Sequence, residues 1–254
     1  MLNQKKAAVF VLLGQSNAVG HGIPMAEKDI IKTPLKNVFG LSRSDNQSFD
    51  NDRLCWCGYT SFGMNLAEEQ DNTYSLANCL ARVWQDSIDN GNMDLGDLYI
   101  VQIAIGAQGI TRDFMWYPVR EKKLIPGRLG VCDISLYPFT MHVLSLLDKS
   151  FKEIDKDYEI MGIHWRGGEE DATQNREILC NELEGLYNRM IDEFNLLISY
   201  PPIVFHRICC DGRMNYLDNT GKYLDNMNYI NDVFEKAALK YTVNVKRKCQ
   251  KTLI

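Results

Sequence analysis

The chain has 254 residues, a length that suits one large α/β domain. Its formal net charge of −5 leaves no basic excess to neutralise a phosphate backbone, so nucleic-acid binding is excluded as a function class. No apolar run approaches the roughly 20 residues of a membrane helix, which excludes a spanning segment and a membrane partner.

The chain opens with Lys5-Lys6 and the apolar stretch Ala7 to Leu13. As a leader this stretch is at the short limit, and no small-residue cleavage site follows. It reads instead as a buried strand over 8–13, apolar throughout and stopped by a glycine. A second strand is predicted over 36–41. The spacing of Leu76, Leu80, Val83 and Trp84 predicts a helix from Thr73 to Ile88. Leu98 to Ile105 is a third strand, broken by Gly106. Phe139, Val143, Leu146, Leu147 and Phe151 place a helix over Ser135 to Ile154. Glu159 to Trp165 is the fourth strand. Ala172 to Leu197 is the clearest helix, Pro202 to Ile208 the fifth strand, and Tyr229 to Tyr241 a closing amphipathic helix. The basic run Lys246-Arg247-Lys248 reads as a solvated tail.

Strands that alternate with helices make βαβ units. The expected fold is therefore an α/β three-layer α/β/α sandwich around a mostly parallel, five-stranded sheet, one domain over 1–254. Two long connections, about 43–72 and 107–134, carry Trp56, Tyr59 and Phe62 in one and Phe114, Trp116 and Tyr117 in the other. Aromatics of this kind suit a sugar face or ordinary packing. The eight cysteines form no dense disulfide framework in a chain this long, and Cys55-Trp56-Cys57 is too tight for a usual zinc pair. Reduced thiols and a cytoplasmic location are expected.

Chemistry concentrates where strands end. The first strand runs into Gly14-Gln15-Ser16-Asn17, the third into Gly106-Ala107-Gln108-Gly109, and the fourth into Trp165-Arg166-Gly167-Gly168-Glu169-Glu170-Asp171. Asp225-Asn226-Met227-Asn228-Tyr229 precedes the last helix. Parallel strands deliver such ends to one edge, where open α/β sheets bind ligands. Ser16 is then a candidate nucleophile, with backbone N–H groups beyond it to receive an oxyanion.

These blocks, in this order, resemble the SGNH hydrolase superfamily, and within it the sialate O-acetylesterase-like carbohydrate esterases. The family's first block reads G-Q-S-N, found at Gly14 to Asn17. Its second is a glycine-rich turn, matched at Gly106 to Gly109. Its third, W-x-Q-G-E-x-D, is matched by Trp165, Gly168, Glu169 and Asp171, and its last, D-x-x-H before an aromatic, falls on Asp225 to Tyr229. The resemblance implies Ser16 as nucleophile, Asp225 as the acid that orients the base, and a pocket built from Gln15, Asn17, Gly106, Gly109, Gly167, Glu169 and Asp171. It implies no metal and no organic cofactor. The ligand would be a small-molecule or oligosaccharide acetyl ester.

Two positions depart from the pattern. The third-block glutamine falls on Gly167, and the last-block histidine on Asn228. An asparagine amide is not basic and takes no proton from serine near neutral pH. Of the four histidines, His21 and His206 are the alternative bases to test; His142 reads as structural, and His164, inside the fourth strand, points to core or pocket. The acids keep a second reading throughout: Glu169, Asp171 and Asp225 cap helices as readily as they orient a base. Gly106 and Gly109 either present N–H groups or simply make a tight turn. Two functions therefore stay open. One is a serine esterase that removes acetyl groups from a sugar with a relocated base. The other is an impaired relative that binds an acylated glycan or serves as a non-enzymatic subunit.

Overall fold

The computed structural model describes residues 5–22, 24–46, 52–70, 73–91, 94–118, 135–209 and 221–251, the side chains of 243–251 excepted. Much of the second long connection, 119–134, lies outside the described residues, as do 47–51 and 71–72 of the first. Cys132 and Cys210 fall there too.

The first strand, β1 (Ala7–Gly14), is apolar end to end because it has no edge and no open face. It lies between β5 (Leu98–Ala104) and β6 (Tyr158–Arg166), and is parallel to both. Beyond β5 sits β2 (Val38–Leu41), also parallel; beyond β6 sits β7 (Ile203–Phe205). These are the five expected strands, but among the described residues the sheet has seven. The other two are β3 (Trp56–Gly58), antiparallel to β2 at the edge, and β4 (Asn65–Leu66), which pairs with the end of β5. Strands of three and two residues show no periodicity, which is why the sequence hides them.

Side chains alternate between two cores, as period-two geometry requires. Val9, Val11 and Leu13 face one, with Tyr99, Val101 and Ile103. Phe10 and Leu12 face the other, with Leu98, Ile100 and Ala104. The first core is roofed by α4 (Leu136–Ser145), α5 (Leu147–Glu153), α6 (Arg176–Ile198) and α7 (Lys222–Lys251). The second is covered by α1 (Ser16–Val19) and α3 (Leu76–Asp89). A further short helix, α2 (Arg43–Asn46), leads away from β2. The result is the three-layer α/β/α sandwich. The expected helix over 135–154 is two helices that meet at Leu146. The last begins at Lys222, seven residues before the predicted start at Tyr229, because Met227 and Ile230 already pack into the core.

The loop aromatics divide. Tyr59 and Trp116 are fully buried, so neither offers a sugar face. Trp116 stacks edge-on against Trp165 and donates its indole N–H to Gly14 O at 3.0 Å, directly beneath the first block. Cys55, Cys57, Cys79, Cys180 and Cys209 are free thiols. Among the described residues no helix is long and apolar enough to cross a membrane.

Candidate active site

Ser16 owes its position to Gly14. This glycine ends β1 with φ of +141°, and a Cβ there would lie 2.0 Å from Arg166 O on β6. Only a glycine lets the chain turn so close to its neighbour. Gln15 donates its N–H to that same carbonyl at 3.0 Å. Its buried side chain accepts the Glu170 N–H at 3.2 Å, tying the first block to the third. Ser16 then opens α1, a single turn of four residues, held from below where Gln102 Nε2 donates to Ala18 O at 2.7 Å. Ser16 is half-buried at the rim and Asn17 is exposed.

The first three blocks do converge. Gly14 is in register with Ala104 of β5 and Arg166 of β6, so all three turns leave the same sheet edge. Asn17 donates its side-chain amide to the Glu169 carboxylate. The other oxygen of Glu169 is buried without a hydrogen-bond partner.

Asp171 is fully buried and is a clamp. Its carboxylate accepts the Ile110 N–H at 3.0 Å, the Thr111 N–H at 2.9 Å and the Thr111 hydroxyl at 2.8 Å. Burial pushes its pKa up to about 6, against the pull of those donors. Gly109 is the residue that lets it approach, since a Cβ there would lie 2.4 Å from Asp171 Oδ1. Gly167, which replaces the expected glutamine, is buried with its would-be Cβ 3.0 Å from the Trp165 ring. A glutamine at this backbone position would meet the indole first.

The last block lies within α7, ahead of the predicted start of that helix. Asp225 and Asn228 lie one helical turn apart on α7 and both are exposed. With Arg176, Lys222, Asn226, Tyr229 and Asp232 they line a shallow cleft of about 600 Å³. Arg176 crosses this cleft: its guanidinium sits 4.2 Å from the Tyr229 ring centroid and donates to Asp225 O at 3.0 Å. Because α7 starts early, these positions ride a helix instead of ending a loop. What α7 does send toward the site is Tyr223, whose hydroxyl donates to Glu169 O at 3.1 Å. It also sends Asn226, which donates to Ala172 O at 2.9 Å and Gln174 O at 3.0 Å.

The two alternative bases also separate. His206 stands at the end of β7, where its Nε2 is 3.0 Å from His164 Nδ1. Burial, then the charges of His164 and Arg166, lower its pKa to about 4. An imidazole held that low is a weak acceptor at neutral pH. His21 is beside Ser16: its backbone N–H donates to Ser16 O at 3.0 Å. Its Nε2 lies 3.3 Å from Oε1 of Glu68, and both side chains are partly buried, at 31% and 14% exposure. Oε2 of the same Glu68 accepts the Gly106 N–H. Glu68 belongs to no motif; only its place in a long loop beside an isolated turn could have flagged it.

The backbone is unusual at this junction. Ala67, before Glu68, has φ of 78°, and Ala107, after Gly106, has φ of 56°. Left-handed alanines are uncommon and cluster where a fold holds functional groups in place.

No family model matches the chain, and no curated protein matches it. Solved structures do. A protein from Arabidopsis thaliana aligns over 90% of this chain and 80% of its own, with a TM-score of 0.55 at 14% identity. NanS aligns over 93% of this chain and 74% of its own, with a TM-score of 0.50 at 13% identity. At these identities the likeness establishes a shared fold.

Proposed function

We propose that the chain is a serine esterase that removes acetyl groups from a small carbohydrate or oligosaccharide, with His21 as its base. The observation that supports this most is the His21–Glu68 pair, whose histidine donates its backbone N–H to Ser16 O. It supplies an imidazole and a carboxylate where the family's own histidine position, Asn228, is turned to solvent. In this reading the Ser16 hydroxyl passes its proton to His21 as Oγ bonds the acetyl carbon. The carbonyl electron pair moves to oxygen, and the N–H groups of Ser16 and Gly106 receive the oxyanion. The tetrahedral centre then collapses, the ester C–O bond breaks, and His21 returns the proton to the leaving sugar hydroxyl. Water repeats the sequence to release acetate and restore Ser16. The unpartnered Glu169 oxygen is an acceptor of the kind a sugar hydroxyl satisfies. The free thiols support the reading of a reducing, cytoplasmic location.

One observation favours the alternative. The Gly106 N–H and the Asn17 amide, both groups that a catalytic pocket would offer to an oxyanion, are already paired with carboxylates. On that reading the pocket binds an acylated glycan without turning it over.

Covalent labelling separates the two. A fluorophosphonate probe reacts with a serine only when a base activates it. The esterase reading expects a single adduct on Ser16 by peptide mass spectrometry, lost in His21→Ala. An unlabelled Ser16 would leave only the binding function.

A further inference from the structure

The Glu68 carboxylate touches both halves of the proposed machinery at once. One oxygen faces the imidazole of His21 at 3.3 Å, and the other holds the Gly106 N–H. A Cβ built on Gly106 would lie 3.4 Å from Glu68 Oε2 and 3.6 Å from His21 Nε2, so the three groups share one small space. The flanking alanines, Ala67 and Ala107, hold left-handed conformations on either side of this contact. Chain on both sides is thus bent to bring the acid and the N–H together.

We propose that Glu68 is a positioning residue with two states, resting on the esterase reading of Ser16. In the resting state it orients His21 and caps Gly106. When His21 takes the Ser16 proton, the new imidazolium attracts the carboxylate more strongly than a neutral N–H does. Glu68 then shifts wholly to His21, and the Gly106 N–H is freed as the oxyanion forms. One proton transfer thus charges the base, and the same transfer uncovers the donor that the transition state needs. The cap also keeps the donor from binding stray anions between turnovers. Asn17 is not part of this device, since it pairs with a different carboxylate, Glu169.

The test is steady-state hydrolysis of 4-nitrophenyl acetate by wild type, Glu68→Gln, Glu68→Asp and Ser16→Ala, with thermal unfolding of each. Glu68→Gln keeps the size of the side chain and removes its charge. The expected result is a kcat at least about tenfold lower, less than the roughly hundredfold or more of losing the acid–base group itself. KM should fall, because the cap on Gly106 is weaker. Glu68→Asp, which restores a carboxylate on a shorter arm, should recover part of kcat. A merely structural glutamate would give Gln near wild-type kcat, or losses that follow the unfolding temperature and leave KM alone; either overturns the proposal. Should Glu68→Gln fail to fold, a Glu68→Asp variant that folds with unchanged kcat and KM overturns it as well. Hydrolysis that survives Ser16→Ala would instead sink the esterase reading itself.

Discussion

Asp171 and Glu68 are two carboxylates that grip the same loop after β5. Asp171 is fully buried, its oxygens filled by Ile110 and Thr111, with no route to substrate. Glu68 sits at the rim, with one oxygen on a backbone N–H and the other on an imidazole. A carboxylate whose partners are all fixed backbone and hydroxyl donors sets the shape of a loop. One that shares itself between a fixed donor and a titratable ring can respond to a proton. On the proposed reading the first serves architecture and the second chemistry, although only the first belongs to a recognisable motif.

The sharpest way to break that contrast is through the glycines each acid faces. Gly109→Ala drives a Cβ to 2.4 Å from Asp171 and should cost about 3–5 kcal/mol in urea unfolding. Gly106→Ala meets Glu68 only at 3.4 Å, an ordinary contact, and should cost less than about 1 kcal/mol. Equal costs at the two sites would erase the distinction.

Asp171→Ala comes next. It strands the Ile110 and Thr111 N–H groups in the interior, at about 3 kcal/mol, or a Tm lower by about 10 °C in a chain of this length. Glu68→Ala should move Tm by no more than about 3 °C, since its groups are part-exposed and water replaces it. Calorimetry on the two variants reads both effects.

A smaller effect is the pH dependence of stability. His206 is depressed from 6.5 to about 4, so the unfolded chain takes up that proton first, and stability falls as pH drops through this window. Asp171 is raised from 3.8 to about 6, so the folded chain takes up that proton first, and stability rises as pH drops from about 6 toward 3.8. The two oppose one another. His206→Gln should therefore be more stable relative to wild type at acid pH than at neutral pH, and Asp171→Asn less so. Urea midpoints measured across the window decide the signs.

The smallest expected effect is that of Asn228→His. Placed on the solvent face of α7, the new imidazole should change esterase turnover less than about twofold, within the range of surface substitutions. A large gain in aryl acetate hydrolysis would mean that position 228 reaches Ser16 after all.

The sheet's centre was legible because burial on both faces leaves one readable trace, an unbroken apolar run such as Val9 to Leu13. The convergence of the first three blocks was legible because parallel strands must bring their ends together. The start of the last helix was not legible. Lys222 to Asn228 is polar enough to pass for a loop, yet Tyr223, Met227 and Ile230 recur at helical spacing, and the chain is already helical there. Trp116 and Tyr59 looked like loop aromatics, but loops that fold back over a sheet bury their rings. Glu68 was invisible for a different reason. Its role comes from a meeting with His21 and Gly106 across 47 and 38 positions of chain, and no local pattern records such a meeting.

The central claim is that His21, and not a residue of the last block, serves Ser16. Acetate release from 4-nitrophenyl acetate by wild type, Ser16→Ala and His21→Gln tests it most directly. The account predicts Ser16-dependent turnover in the wild type that falls by about a thousandfold or more in both variants, the scale of losing a nucleophile or its base. Wild-type turnover that disappears with Ser16 but persists in His21→Gln would contradict it.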